Sequence, residues 1–426
     1  MLKKKLASQI IFKLLATITG LYNIRWLNTN IPKETLAEFN VLMAYVAIFI
    51  VALNLGIPIL IQKYFTNSLS QKNIKSFWST IFVLRIITYF IGILGILVSL
   101  PISGTQNLVL ALSIYSMSFI LLLDQSYKGL TDAIGNTWQY TLTDFLGKII
   151  IVTLLLFYNF NRNIPPEYYF LLVSSVAYTI SFMSDFWLQN KYIGWGKIDF
   201  TILQTYWKTM FFLTITNILI SLYSTTDKLF LKNLNYSASE IIGYTNAYKL
   251  FETALILPSI TIPTISSAFK KSLDLINSNK NNNIIKFFSM NMKESQILFI
   301  KYSGISLFIG LFSAISLFIG GFLVIKFIDP NTDYPLTLKV FPILSLSLIT
   351  QSLNIFFAYI IILSEKEKYD TYANVLNVIL SLVLFSNLIR LYGGIGAAWG
   401  VVLLYLFHFL INSSIILFLR KQIFRK

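Results

Sequence analysis

Long apolar runs separated by short, Lys- and Asn-containing connections set the pattern of this chain. The runs reach the roughly 20 residues that an α-helix needs to cross a hydrocarbon core. Read in order, they predict about twelve crossings, centred near residues 18, 49, 89, 118, 149, 178, 219, 250, 308, 350, 381 and 408. They lack the alternating pattern of about ten residues that marks an outer-membrane barrel strand. Because lipid offers no partner to an open backbone, the expected fold class is an all-α integral membrane protein. The basic start of MLKKKLASQIIFKLLATITG is interrupted at Lys13 with no convincing cleavage site after it, so an uncleaved first helix is expected.

An even number of crossings places both termini on one side. The connections and tails on that side hold 21 Lys and Arg, against 8 on the other. The positive-inside rule therefore puts both termini in the cytoplasm. In the longest connection, 270–295, a short interfacial helix is expected after an Asn-rich turn.

Shifting the sequence by 205 residues lays Pro58 on Pro263 and Phe39 on Tyr244. This suggests two pseudo-repeated six-helix halves, 1–208 and 209–426, around a central cleft, an arrangement suited to alternating access. Gly56 and Pro58, Pro258 and Pro263, and Pro335 and Pro342 are candidate hinges in the returning helices.

Composition agrees with a membrane protein: 56% of residues are hydrophobic and only 12% charged, about half the charged share of a soluble domain. The net charge of +16 is spread over inter-helix connections, which fits membrane orientation and not nucleic acid. With no cysteine, disulfides, thiol catalysis and Cys-ligated metals are excluded. No nucleotide-binding Gly-rich loop, His/Cys metal spacing or HExxH is present. The chain therefore reads as a non-enzyme without cofactor or metal. The one histidine, His408, is expected to pack or to bond between helices.

The remaining chemistry is charge inside the apolar runs, which is expensive there and usually serves a polar interior. Asp144 and Lys148 are four apart and Lys249 and Glu252 three apart, so each pair can neutralise itself on one helix face. Arg85 has no carboxylate at that spacing and is expected to face an interior cavity unpaired unless Asp124 or Asp144 reaches it. Lys13 and Lys301 are placed to snorkel. The resulting translocation set, Arg25, Arg85, Lys148, Lys228 and Lys249, is cationic and favours an anionic cargo. Asp124, Asp144, Asp185, Asp227 and Glu252 are the ion-coupling candidates, although capping or local pairing is the expected role of Asp185 and Asp227 near their helix ends. Tyr22, Trp26, Tyr223, Tyr244 and Tyr248 offer flat faces for sugars, whereas Trp78 and Trp187 are expected as interfacial anchors.

Residues 209–268 concentrate this chemistry. A helix ending Ser-Thr-Thr-Asp-Lys (224–228), a short loop and then Ile-Gly-Tyr-Thr-Asn-Ala-Tyr-Lys-Leu (242–250) resembles the seventh and eighth helices of the Wzx-type O-antigen and polysaccharide repeat-unit flippases of the multidrug/oligosaccharidyl-lipid/polysaccharide (MOP) superfamily. The matching positions are Asp227, Lys228, Gly243, Tyr244 and Ala247. The resemblance implies a bacterial inner-membrane flippase moving an undecaprenyl-diphosphate-linked oligosaccharide between leaflets. It also implies membrane lipids, and the polymerase and chain-length proteins of the same pathway, as partners. The alternatives are a cation-coupled drug exporter of the same superfamily and, from another class, a membrane glycosyltransferase or polymerase.

Overall fold

The computed structural model describes residues 2–58, 60–61, 71–99, 107–133, 137–160, 163–190, 194–278, 290–329, 334–364 and 366–424. Within them the chain is helical almost throughout: α1 Leu2–Asn30, α2 Lys33–Leu53, α3 Gln71–Ser99, α4 Leu108–Ala133, α5 Thr137–Leu156, α6 Pro166–Asn190, α7 Thr201–Asn233, α8 Ala238–Ser278, α9 Met290–Ile328 and α10 Leu336–Leu363. The last stretch, Glu367–Phe424, breaks at Gly393 (φ 57°, ψ −137°) into α11 (367–392) and α12 (394–424). Each of the twelve expected centres falls in one of these helices. Of the long connection, residues 279–289 lie outside the described residues, and its flanks continue α8 and α9.

Nine of the described stretches are long and apolar enough to cross a membrane, with Glu367–Arg420 counted once although it holds two helices. The helices outside that set are α1 and α8, which carry Lys13 and Arg25, and Lys249 and Glu252. Whole helix faces of large apolar side chains are exposed, such as Phe90, Leu94 and Val98 on α3 and Phe308, Phe312, Ile315 and Ile319 on α9. Apolar surface of that extent requires lipid, and the chain is a multi-pass membrane protein.

The chain divides into two compact units, Met1–Ser221 and Leu222–Lys426, so that the division falls within α7. In the first unit α1 packs on α5, and α4 packs on both α2 and α6. Ile57, Ile61, Phe77, Trp78, Tyr127 and Leu130 form one of its buried clusters. Trp78, expected at the membrane interface, is buried there edge-on to Tyr127, with ring centroids 5.0 Å apart. Trp187 is exposed. In the second unit α10 is central, packing on α8, α9 and the α11–α12 hairpin, and Phe269, Phe356, Phe357 and Ile416 belong to a buried cluster.

The expected hinge positions differ in kind. α2 ends where Leu55 (φ 51°) and Gly56 (φ 63°) turn the chain in the left-handed region, and a Cβ on Gly56 would lie 2.6 Å from that of Leu213. Pro335 precedes α10 as its cap and does not interrupt a crossing, because a ring without an N–H fits the start of a helix. Pro342 lies inside α10, whereas Pro258 and Pro263 lie within a helix that runs on to Ser278.

Candidate functional site

In the first unit α1 and α5 bring three charges together. Lys13 Nζ donates to Asp144 Oδ2 at 3.2 Å, and Lys148 Nζ donates to the same oxygen at 3.4 Å. The Asp144–Lys148 contact follows from their four-residue spacing. Lys13 does not snorkel as expected, because the carboxylate across the helix interface is within reach. One carboxylate cannot neutralise two ammonium groups, so these three side chains by themselves carry one excess positive charge. The lysine side chains retain 27% and 22% of their exposure against 10% for Asp144, so the uncompensated charge is on the reachable partners.

Beside this cluster Asp124 on α4 and Asp185 on α6 lie within hydrogen-bonding reach of each other, with Tyr140 of α5 next to Asp124. Thr143 Oγ1 donates to Asp185 Oδ2 at 2.9 Å. Both carboxylates are buried, and one oxygen of each has no protein partner among the described residues. Asp185, expected as a helix-end cap, instead bonds across to α5. Two acids in contact inside a membrane protein must share a proton or a cation.

Arg85 corrects the expectation of an unpaired charge facing a cavity. Its guanidinium is fully buried and meets neither Asp124 nor Asp144. Nε donates to Ser126 Oγ (3.1 Å), Nη1 to the carbonyls of Leu53 (3.2 Å) and Asn54 (3.3 Å), and Nη2 to Asn54 Oδ1 (2.8 Å). The two carbonyls are at the C-terminal end of α2, where the helix leaves acceptors open and its dipole favours a cation. The adjoining void is about 10 Å³, room for one water at most. Arg85 therefore pins the left-handed turn after α2.

In the second unit the residues of the quoted motif touch one another. The Tyr244 hydroxyl of α8 donates to Asp227 Oδ2 of α7, both fully buried, and the Lys228 backbone N–H donates to Asp227 Oδ1 at 2.7 Å. Asp227 thus joins two helices and does not merely close one. The Lys228 ammonium stands 4.0 Å from the Tyr248 ring centroid, a cation–π contact. Gly243 lets α10 approach: its carbonyl accepts from Thr337 Oγ1 at 3.0 Å, and a Cβ there would be 3.1 Å from that of Leu336. Ala247 is completely buried.

Lys249 is half-buried on α8, in electrostatic range of Lys228 and Glu252, while Glu252 itself is exposed. Each unit therefore holds a pair of lysines contributed by two helices, close to buried carboxylates. Arg25 is half-buried on α1, apart from the Asp144 cluster by twelve residues of helix. Trp26 is buried among Tyr158, Tyr169 and Phe170, which gives its ring a packing role. Lys301 is exposed.

Sequence reasoning missed Thr143, and it gave Lys13 and Asp185 other preferred roles, snorkelling and helix-end capping or local pairing. The available signal was a polar residue set within an apolar helix, but which neighbouring helix it faces is a tertiary fact. Among the described residues no group of His, Cys, Asp and Glu could hold a metal ion.

No protein-family model matches the chain, and no curated protein sequence matches it. Solved structures do. The chain is similar to an inward-facing multidrug resistance MATE family transporter of the MOP superfamily, with a TM-score of 0.71 and 12% identity over 97% of this chain and 99% of that one. It is similar to the lipid II flippase MurJ in an inward closed conformation, with a TM-score of 0.66 and 16% identity over 96% and 87% of the two chains. A MOP superfamily transporter from Pyrococcus furiosus, described as having a binding pocket of reverse polarity, aligns with a TM-score of 0.63 and 12% identity over 100% and 97%. At these identities the likeness is one of fold: the chain has the all-helical architecture of MOP superfamily transporters.

Proposed function

We propose that this protein is a flippase that carries an undecaprenyl-diphosphate-linked oligosaccharide from the cytoplasmic to the outer leaflet of a bacterial inner membrane by alternating access, with both termini cytoplasmic. The observation that carries the reading is the pair of ammonium groups, Lys13 and Lys148, converging on one oxygen of Asp144. A second ammonium group on one carboxylate within a helix bundle favours a further anion. A lipid diphosphate supplies such an anion together with several strong acceptor oxygens. Lys228 and Lys249 offer the second unit a comparable pair. The saccharide is inferred from the resemblance of residues 224–228 and 242–250 to Wzx-type flippases. That the fold also serves the lipid II flippase MurJ supports a lipid-linked cargo.

Under this reading the partners are the lipid-linked oligosaccharide, the surrounding lipids, and the polymerase and chain-length proteins that use the delivered unit. A second reading, a cation-coupled exporter, draws on the Asp124–Asp185 pair. It gives no use to the excess of lysine, which repels a cationic drug.

Leaflet access tests the reading. In cells making the lipid-linked unit, a lectin or glycosidase should reach it from outside when the wild-type chain is present. With Lys13→Gln/Lys148→Gln, insertion should be unchanged and the unit should stay accessible only in inverted vesicles. Equal outside access with the double variant would remove the lysine pair from the mechanism. Polymerised glycan formed by the purified chain alone would identify a polymerase instead.

A further inference from the structure

The inner face of the α11–α12 hairpin carries buried polar groups that the reading above does not use. The two helices run antiparallel about Gly393, and contacts of Phe385 with Gly400 and of Tyr369 with Phe418 fix their register. In that register Asn377 is level with His408, and Asn374 with Asn412, all four buried. Asn374 Nδ2 donates to Asp370 O at 2.8 Å. Its own side-chain oxygen, both polar atoms of Asn377 and of Asn412, and both ring nitrogens of His408 have no protein partner among the described residues. The His408 ring touches Tyr223 of α7 edge-on, with centroids 6.2 Å apart, so packing uses the ring and leaves its nitrogens open.

Buried amides and imidazoles are normally hydrogen-bonded, and an orphaned one lowers stability more than an apolar residue of the same shape would. Four such side chains at two adjacent levels of one hairpin indicate a shared purpose. Each amide both donates and accepts, as does a neutral imidazole, so the set can carry a chain of water molecules without a net charge of its own. The titratable groups facing this level are Tyr223 on α7, Tyr248 on α8, Asp370 on α11 and Tyr405 on α12. From α10 comes Asn354, whose Nδ2 donates to Tyr405 O at 3.0 Å. The charged residue of α10, Lys339, instead lines a pocket with Ser237 and Ile395.

We propose that this face of the second unit is an internal hydrated track and that His408 is its proton-binding site. A proton delivered by water adds to the free ring nitrogen, converts the imidazole to imidazolium, and leaves again to water along the amide ladder. The exchange requires that water reach the ring, because a buried imidazolium with neither water nor a carboxylate beside it is disfavoured. That the proton drives transport rests on the flippase reading; the proton site itself does not.

Because His408 is the one histidine of the chain, labelling with ring-¹⁵N histidine reports on it alone. The full chain, purified without a polyhistidine tag and placed in lipid nanodiscs, would be followed by NMR from about pH 4 to 8. The ring nitrogens are expected to pass from imidazolium to neutral imidazole across that range and to exchange with solvent deuterium. Asn377→Leu/Asn412→Leu should abolish both while leaving the circular dichroism unchanged. A wild-type ring that neither titrates nor exchanges overturns the proposal, as does a double variant that titrates like wild type. Should the double variant not fold, the wild-type titration decides alone. A chain that titrates at His408 but moves no lipid-linked saccharide keeps the proton site and loses the flippase reading; one that moves saccharide with an inert ring does the opposite.

Discussion

The fate of each buried charge depends on what the neighbouring helix offers. Arg85 has no carboxylate at helical spacing on its own helix, and it is satisfied by the open carbonyl end of α2, a partner that no single-helix pattern encodes. Arg85→Ala is expected to lower folding stability by about 3 kcal/mol, since Leu53, Asn54 and Ser126 would lose their donor in a dry interior. Arg85→Lys should rescue little, because a point-like ammonium cannot span acceptors on two helices. Thermal unfolding of the detergent-solubilised variants checks both. Unchanged stability with lost transport would make Arg85 a cargo contact after all. Asp227 and Tyr244 were legible as a motif but not as partners. Tyr244→Phe should cost about 2 kcal/mol, the scale of a buried hydrogen bond to a carboxylate. Most of that cost should vanish in the Asp227→Asn background, as a double-mutant cycle would show.

Helices were the most readable level, since each of the twelve centres read from the sequence falls in a helix. Their ends and bends were less so. The proline and glycine positions all looked alike as breakers, yet Pro335 starts a helix, Pro342 sits inside one and Gly56 turns the chain after one. Gly393, absent from the expected hinges, is the sharp break. Its conformation is one that side-chain-bearing residues rarely adopt, and the start of α8 and the turn before it hold it: Glu240 Oε1 accepts from the Gly394 N–H at 3.0 Å, and the Tyr236 hydroxyl donates to Ile389 O at 2.6 Å. A Cβ at 393 would also meet Glu240 Oε1 at 2.3 Å. Gly393→Ala should therefore destabilise by about 1 to 3 kcal/mol. Glu240→Ala should relieve the clash but not the backbone strain, so the pair should be only partly additive in chemical denaturation.

For the whole molecule, sequence was enough for an all-helical, multi-pass membrane protein, and the solved structures it resembles fix its architecture as that of MOP superfamily transporters. The candidate site was half legible. Lys148 with Asp144 followed from spacing, but the second lysine that makes the cluster cationic arrives from α1, 131 residues earlier in the chain. That excess charge is what an anionic lipid head would neutralise, so transport should weaken when inorganic pyrophosphate competes and when salt screens the lysines. The direct test is reconstitution of the purified chain in liposomes holding an undecaprenyl-diphosphate-linked oligosaccharide, with glycosidase protection read over time. Wild-type chain should expose the inner-leaflet pool, and Lys13→Gln/Lys148→Gln should slow this at least tenfold with the protein still folded. Equal rates for wild type, double variant and protein-free liposomes would contradict the account.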